Sequence, residues 1–206
     1  MVYFGQVLGS TRLGNVTVYS NAFGTKRQRS LIHLMNGINL GLKWQCVEFA
    51  RRFLYINFGI IFEQIAQADD IFNLRHFTHV ETRKNIPVTS LKNGSNIWPH
   101  VGSLLIWQSL GNNSDVKVIN PGHVAVVVSV SSNFIDIAEQ NFNEKKWTKP
   151  NRKWSRRLLV SLVPNNNGFH ILCDNDNENN SHSHADVILG WVNLPSSSYS
   201  IATTDR

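Results

Sequence analysis

The apolar positions of the chain change their period about halfway along. Across residues 44–58 they fall at 46, 47, 49, 50, 53, 54 and 58, the three-and-four spacing of one helix face. Gly59 follows where a left-handed cap would close that helix. A second helix is predicted over residues 62–75, on the same period through Ile65, Ala68 and Ile71 or Phe72. Upstream, Gly5, Gly9, Gly14 and Gly24 punctuate short β-type runs such as residues 16–19, which predict turns and short strands. From about Ser103 the character becomes β, with strands predicted at 103–107, 123–130, 134–141, 157–163, 169–172 and 187–194. Residues 111–122 and 165–184 are rich in Asn, Gly, Asp, Ser or His and predict surface loops. Helices followed by a run of antiparallel strands give the order of an α+β domain.

Composition narrows this picture. The 206 residues are the length of one domain, and 42% apolar residues with 10% aromatics supply its core. Charged residues reach only 17%, below the ~25% of ordinary globular chains, and 24 asparagines make up the polar balance. A disordered chain, a coiled coil and a collagen are excluded. No apolar run approaches the ~20 residues that cross a bilayer, and the opening Met1-Val2-Tyr3-Phe4 has no charged stretch leading into an apolar one. The cysteines are Cys46 and Cys173 alone, which excludes a disulfide scaffold and a Cys-rich zinc site. A reducing, cytoplasmic location and no cofactor are expected. The net charge of +6 permits anionic partners without requiring them.

The candidate chemistry starts at Cys46, in the first turn of the predicted long helix and directly after Gln45. A thiol there feels the positive end of the helix dipole, which favours the nucleophilic thiolate. A cysteine nucleophile needs a base and a group that orients the base. His123 opens a strand after Asn120-Pro121-Gly122, at a sheet rim. If Ser131-Ser132-Asn133 is a three-residue hairpin loop, Ala125 stands opposite Glu139 and His123 opposite Asn141. His123 and Glu139 then share a face, within diagonal reach. A two-residue loop would put them on opposite faces. The set predicts acyl transfer to water through a thioester. Cys46 attacks, His123 moves the proton, Glu139 orients the ring, and the Cys46 N–H with Gln45 receives the oxyanion.

The residues that carry this chemistry also carry a resemblance. Gly41-Leu42-Lys43-Trp44-Gln45-Cys46-Val47-Glu48-Phe49-Ala50-Arg51-Arg52-Phe53-Leu54 resembles the nucleophile helix of the amidase domain of bifunctional glutathionylspermidine synthetase/amidases. Those domains are CHAP-type, papain-like cysteine hydrolases. Gly122-His123-Val124-Ala125, Ile137-Ala138-Glu139-Gln140-Asn141 and Ile188-Leu189-Gly190-Trp191 continue the likeness, which runs in order from about residue 4 to 199. The resemblance implies a single CHAP domain of papain-like fold, its N-terminal helices packed on an antiparallel sheet. It implies a Cys46–His123–Glu139 triad, with Asn141 beside it and Arg51 holding the glutathionyl part of the substrate. It implies hydrolysis of the glycyl–spermidine amide of a glutathione–polyamine conjugate. A CHAP-type peptidoglycan amidase or endopeptidase is the alternative, and a binding module without activity is a third reading. No nucleic acid or membrane partner is expected.

Leu42 stands where a polar residue is expected in the family's Gly-x-Lys-Trp run, and two further features depart from the resemblance. His182 and His184 lie in the polar loop without a third ligand, so no metal site is expected. Lys145, Lys146, Lys149, Arg152, Lys153, Arg156 and Arg157, interleaved with Trp147 and Trp154, form a basic stretch. It is expected to face away from the site as a solvated edge, because a cation-lined cleft would oppose a polycationic substrate.

Overall fold

Two hairpins lead into the helix that carries Cys46. The first joins β1 (Val7–Ser10) to β2 (Thr17–Tyr19). A one-turn helix, α1 (Lys26–Arg29), follows, closed at its start by a reciprocal box between Thr25 and Gln28. The second hairpin joins β3 (Ile32–Met35) to β4 (Ile38–Leu42). Next comes α2 (Cys46–Phe58), ended by Gly59 at φ 65°, the left-handed cap that its position predicted. A small three-stranded sheet, β5 (Ile60–Ile61), β6 (His76–His79) and β7 (Asn85–Pro87), lies beyond.

The main sheet is built from β8 (Thr89–Lys92), β9 (Leu104–Trp107), β10 (His123–Val130), β11 (Phe134–Ala138), β12 (Arg156–Leu162), β13 (Phe169–Ile171) and β14 (Ile188–Asn193). Its order is β13-β12-β11-β10-β9-β14-β8, and every neighbouring pair is antiparallel. The computed structural model describes residues 1–109, 121–149, 151–163, 168–172 and 187–196. Most of the predicted 111–122 and 165–184 loops, with Cys173, His182 and His184, lies outside the described residues. Among the described residues no helix is long and apolar enough to cross a membrane.

The sheet is covered on both faces. Leu104, Ile106, Val124, Val126 and Val192 pack with Phe49, Phe53 and Leu54 of α2. Leu105, Trp107, Ala125, Val127, Ile137 and Trp191 form a second cluster. Alternate residues of β9 and β10 therefore serve opposite cores. This is why both strands read as continuous apolar runs rather than alternating ones.

Two expectations are corrected. The second predicted helix is reduced to a 3-10 segment, Ala68–Asn73. Ala68 and Ile71 are buried and Leu74 is packed against the same core; they are spaced three apart, the repeat of a 3-10 turn rather than an α-helix. The chain leaving Gly59 is instead taken up by β5 pairing with β6. The second correction concerns the β10–β11 turn. Val130 faces Ile135, not Phe134, so the connection is one residue longer than expected. A bulge between Val127 and Ser129 absorbs the extra residue, and Val127–Ile137 and Val126–Ala138 recover the expected register. Strand β11 ends at Ala138, before Glu139 and Asn141.

Gly122 sets the start of β10. Its φ is +71°, and a Cβ there would lie 2.8 Å from the Trp107 carbonyl oxygen and 3.1 Å from the Ser109 nitrogen. Gly122→Ala is expected to lower stability by about 1–3 kcal/mol in urea unfolding, since strain and overlap combine. An unchanged midpoint would show that the backbone there is free to move.

Candidate active site

The first residue of α2 meets the first residue of β10. Cys46 opens the helix, and Gln45 is its extended N-cap. The first backbone bond of the helix runs from the Phe49 N–H to the Gln45 carbonyl, 3.1 Å. The N–H groups of the first turn thus have no helical acceptor and point out of the helix start, with the positive end of its dipole. His123 Nε2 lies 2.9 Å from Glu139 Oε2. The same ring is hydrogen-bonded with the Cys46 thiol, for which Nδ1 is the remaining nitrogen. All three predicted members of the triad are therefore brought together. Cys46 is 8% exposed and Glu139 4%.

Charge in so buried a place has to be balanced locally. Burial would push the Cys46 thiol up, but the His123 charge and hydrogen bond, with the Val124 and Val47 backbone, hold it below its ordinary value. Burial would lower His123, but the Cys46 charge and hydrogen bond, then those of Glu139, raise it to about 9. Burial would raise Glu139, but the Arg156 charge, with hydrogen bonds from His123 and Arg156, brings it to about 2. The lowered thiol and the raised imidazole together favour a thiolate–imidazolium pair beside an ionised carboxylate. The raised His123 value makes its imidazolium stabilise the fold fully below about pH 6.5, an effect lost as pH rises through about 9. The depressed Glu139 value stabilises the fold above about pH 4.5, an effect lost as pH falls towards 2.

Two polar groups predicted to support the site are in contact with each other. Asn141 Nδ2 donates to Gln45 Oε1 at 2.6 Å, and Asn141 Oδ1 accepts from Asn21 Nδ2 at 2.8 Å. Asn141 holds φ +57°, a conformation that Asn tolerates better than most residues. With its oxygen occupied, the Gln45 amide presents its NH2 end as the donor. Gln140, between Glu139 and Asn141, turns to a second buried group. Its Nε2 donates to Glu48 Oε2 at 2.8 Å, and its Oε1 accepts from Arg52 Nη2 at 2.9 Å. Glu48 Oε1 accepts from Arg52 Nε at 2.6 Å and lies 2.7 Å from His33 Nδ1. Burial would raise the Glu48 carboxyl, but His33 and Arg52 hold it below the usual range.

Arg51 is not brought to the triad. It is buried, its Nη1 donates to the Phe62 carbonyl, and its Nη2 donates to the Asn39 carbonyl at 2.9 Å. The basic stretch is also corrected, for it does not face away as a unit. Arg156 points inward, with Nε 2.8 Å from Glu139 Oε1 and Nη2 2.9 Å from Oε2. Arg157 pairs with Asp136 at 2.7 Å. Lys145, Lys146 and Arg152 line a cavity of about 890 Å³ that Glu139, Gln140, Asn141 and Ser155 also line. Cys46 and His123 are not in its wall. Sequence reasoning missed Arg156, Gln140 and the Glu48–Arg52 pair. The i,i+4 spacing of Glu48 and Arg52 was a readable signal. Arg156 had none, because six similar cations surround it and only the strand register separates them. Among the described residues no group of three His, Cys, Asp or Glu side chains converges as a metal site would need.

The paired thiol makes a direct prediction. Alkylation of Cys46 by iodoacetamide, followed on the Cys46 peptide by mass spectrometry, should change less than about twofold between pH 7 and 8.5. An ordinary thiol climbs about tenfold per pH unit until it titrates. His123→Ala should restore the climb; a climb in the wild type would rule out the ion pair.

Comparison with known proteins places this geometry in a family. The CHAP domain profile matches residues 37–141, which include Cys46, His123 and Glu139. The chain is 32% identical over 195 residues to the bifunctional glutathionylspermidine synthetase/amidase of Escherichia coli (strain K12), a match covering 92% of this chain and 29% of that protein. The Shigella flexneri protein of the same description matches to the same extent. A trypanothione synthetase of Crithidia fasciculata is 30% identical over 198 residues, covering 94% of this chain and 27% of its own length. The chain thus spans less than a third of the length of these curated relatives. With the profile covering about half of its residues, the chain belongs to the CHAP domain family.

Proposed function

We propose that this protein is a thiol amidase that hydrolyses the glycyl–spermidine amide of glutathionylspermidine, releasing glutathione and spermidine. The observation that carries the chemistry is the contact of one imidazole with both Cys46 and Glu139. The substrate comes from the likeness to the glutathionylspermidine synthetase/amidases. The papain-like reading of the fold belongs with it, since a helix-borne cysteine faces a strand-borne histidine.

In this mechanism the Cys46 thiolate attacks the glycyl carbonyl carbon, and the C–S bond forms as the carbonyl π pair moves to oxygen. The Cys46 N–H and the Gln45 amide donate to that oxyanion. His123, already protonated, gives its proton to the leaving amine as the C–N bond breaks. The neutral ring then draws a proton from water, which attacks the thioester and frees the thiolate. Glu139 holds the ring in line throughout and balances its charge. The cations at Lys145, Lys146 and Arg152 repel a polyamine, so the spermidine arm leaves on the side away from their cavity. Arg51 supports the nucleophile helix through the Phe62 and Asn39 carbonyls.

The test is to incubate the purified protein separately with glutathionylspermidine, with a glycyl-amine analogue and with peptidoglycan. Spermidine release by the wild type and none by Cys46→Ala is the expected outcome. Turnover of peptidoglycan alone would replace the proposal with a wall amidase, and turnover of none would refute an amidase role. Gln45→Ala is expected to lower kcat about 10²-fold with KM little changed, the signature of a donor used in the transition state. A change in KM alone would place Gln45 in substrate binding instead.

A further inference from the structure

Arg156 differs from every other cation of its stretch. Its side chain is 11% exposed, against 43% for Arg157, and it meets both oxygens of Glu139. Its guanidinium lies 3.8 Å from the Phe142 ring centroid and 5.3 Å from that of Trp107. The same two rings stand 5.5 and 5.4 Å from the His123 ring. One arginine and two aromatic side chains thus enclose the Glu139–His123 pair. We propose that Arg156 is a positioning residue of the site, holding Glu139 ionised and in the orientation that aims Oε2 at His123, and so acting on Cys46 through two other side chains.

The argument is one of charge order. From the thiolate outward the groups alternate: Cys46 negative, His123 positive, Glu139 negative, Arg156 positive. The row is neutral as a whole, which is what a buried site requires. Without Arg156 it carries an excess negative charge and gains stability by taking up a proton. A proton on Glu139 removes the anion that holds the imidazolium, and a proton on Cys46 removes the nucleophile directly. Either way the thiolate is less populated at a given pH.

The surrounding charges do not replace Arg156. Arg52 is engaged by Glu48 and Gln140, with His33 on the same Glu48 carboxylate. Arg157 of β12 is paired with Asp136 of β11. Lys145, Lys146 and Arg152 border the cavity beyond Glu139. Ser155 Oγ lies 3.0 Å from Glu139 Oε1, but it brings no charge.

The inference rests on Cys46 being the nucleophile, and its test needs no substrate. The pH dependence of Cys46 alkylation by iodoacetamide is measured on the full chain carrying Arg156→Gln, Arg156→Lys or Arg157→Gln, each checked for folding by circular dichroism. Arg156→Gln should move the midpoint of the pH–rate profile up by a pH unit or more. Arg156→Lys keeps the charge but loses the two-point grip, and should fall between. Arg157→Gln removes the same charge one residue along and should match the wild type. A folded Arg156→Gln with the wild-type profile would overturn the proposal. If that variant does not fold, an Arg156→Lys profile identical to the wild type would overturn it. A shifted profile in a protein that releases no spermidine would leave this inference standing and remove only the proposed substrate.

Discussion

A buried carboxylate costs several kcal/mol unless a cation is held against it, and this fold buries two beside Cys46. Glu139 and Glu48 are 4% and 0% exposed. Each is met by an arginine and a histidine: Arg156 and His123 for the first, Arg52 and His33 for the second. Those four partners come from β10, β12, α2 and β3, so neutralising two charges fixes how these elements meet. Gln140 joins the two groups, since it follows Glu139 in the chain and bonds Glu48 in space. The start of α2 is held between them, and the reactivity of Cys46 depends on that placement more than on its own burial, which works against the thiolate.

The packing around these groups divides the work. The apolar side of α2 seats it on one face of the sheet through Phe49, Phe53 and Leu54. Nothing in that contact selects where along the sheet the helix must stop. The polar contacts at its first turn do select it, because Gln45 has to reach Asn141, and Cys46 has to reach His123. Hydrophobic burial supplies most of the stability here and the hydrogen bonds supply the register, a division expected from their different directionality.

Much of the site was legible in the sequence. The period of α2 and its closing Gly59 placed Cys46 at a helix start, and the hairpin of β10 and β11 pointed to His123 and Glu139 as partners, although the connection is one residue longer than expected and only the bulge between Val127 and Ser129 restores the register. What was not legible lay in tertiary context. Residues 62–75 carry a helical spacing, but three of their apolar residues satisfy a 3-10 turn equally well, and strand pairing at β5 decides between them. The inward turn of Arg156 depends on Ile137 standing opposite it, a register that charge patterning does not encode. Arg51 shows a further case, since its burial and its bonds to the Phe62 and Asn39 carbonyls depend on packing that its place in the helix does not encode.

The bulge between Val127 and Ser129 has a broader meaning for how such a hairpin can change over time. It uncouples the phase of the strand at its tip from the phase at its root. The tip at residues 131–134 can therefore be lengthened or reshaped while the root keeps His123 and Glu139 on the same side. A chain built this way has a spare degree of freedom at the far end of this hairpin, and variation can accumulate there without reaching the His123–Glu139 contact.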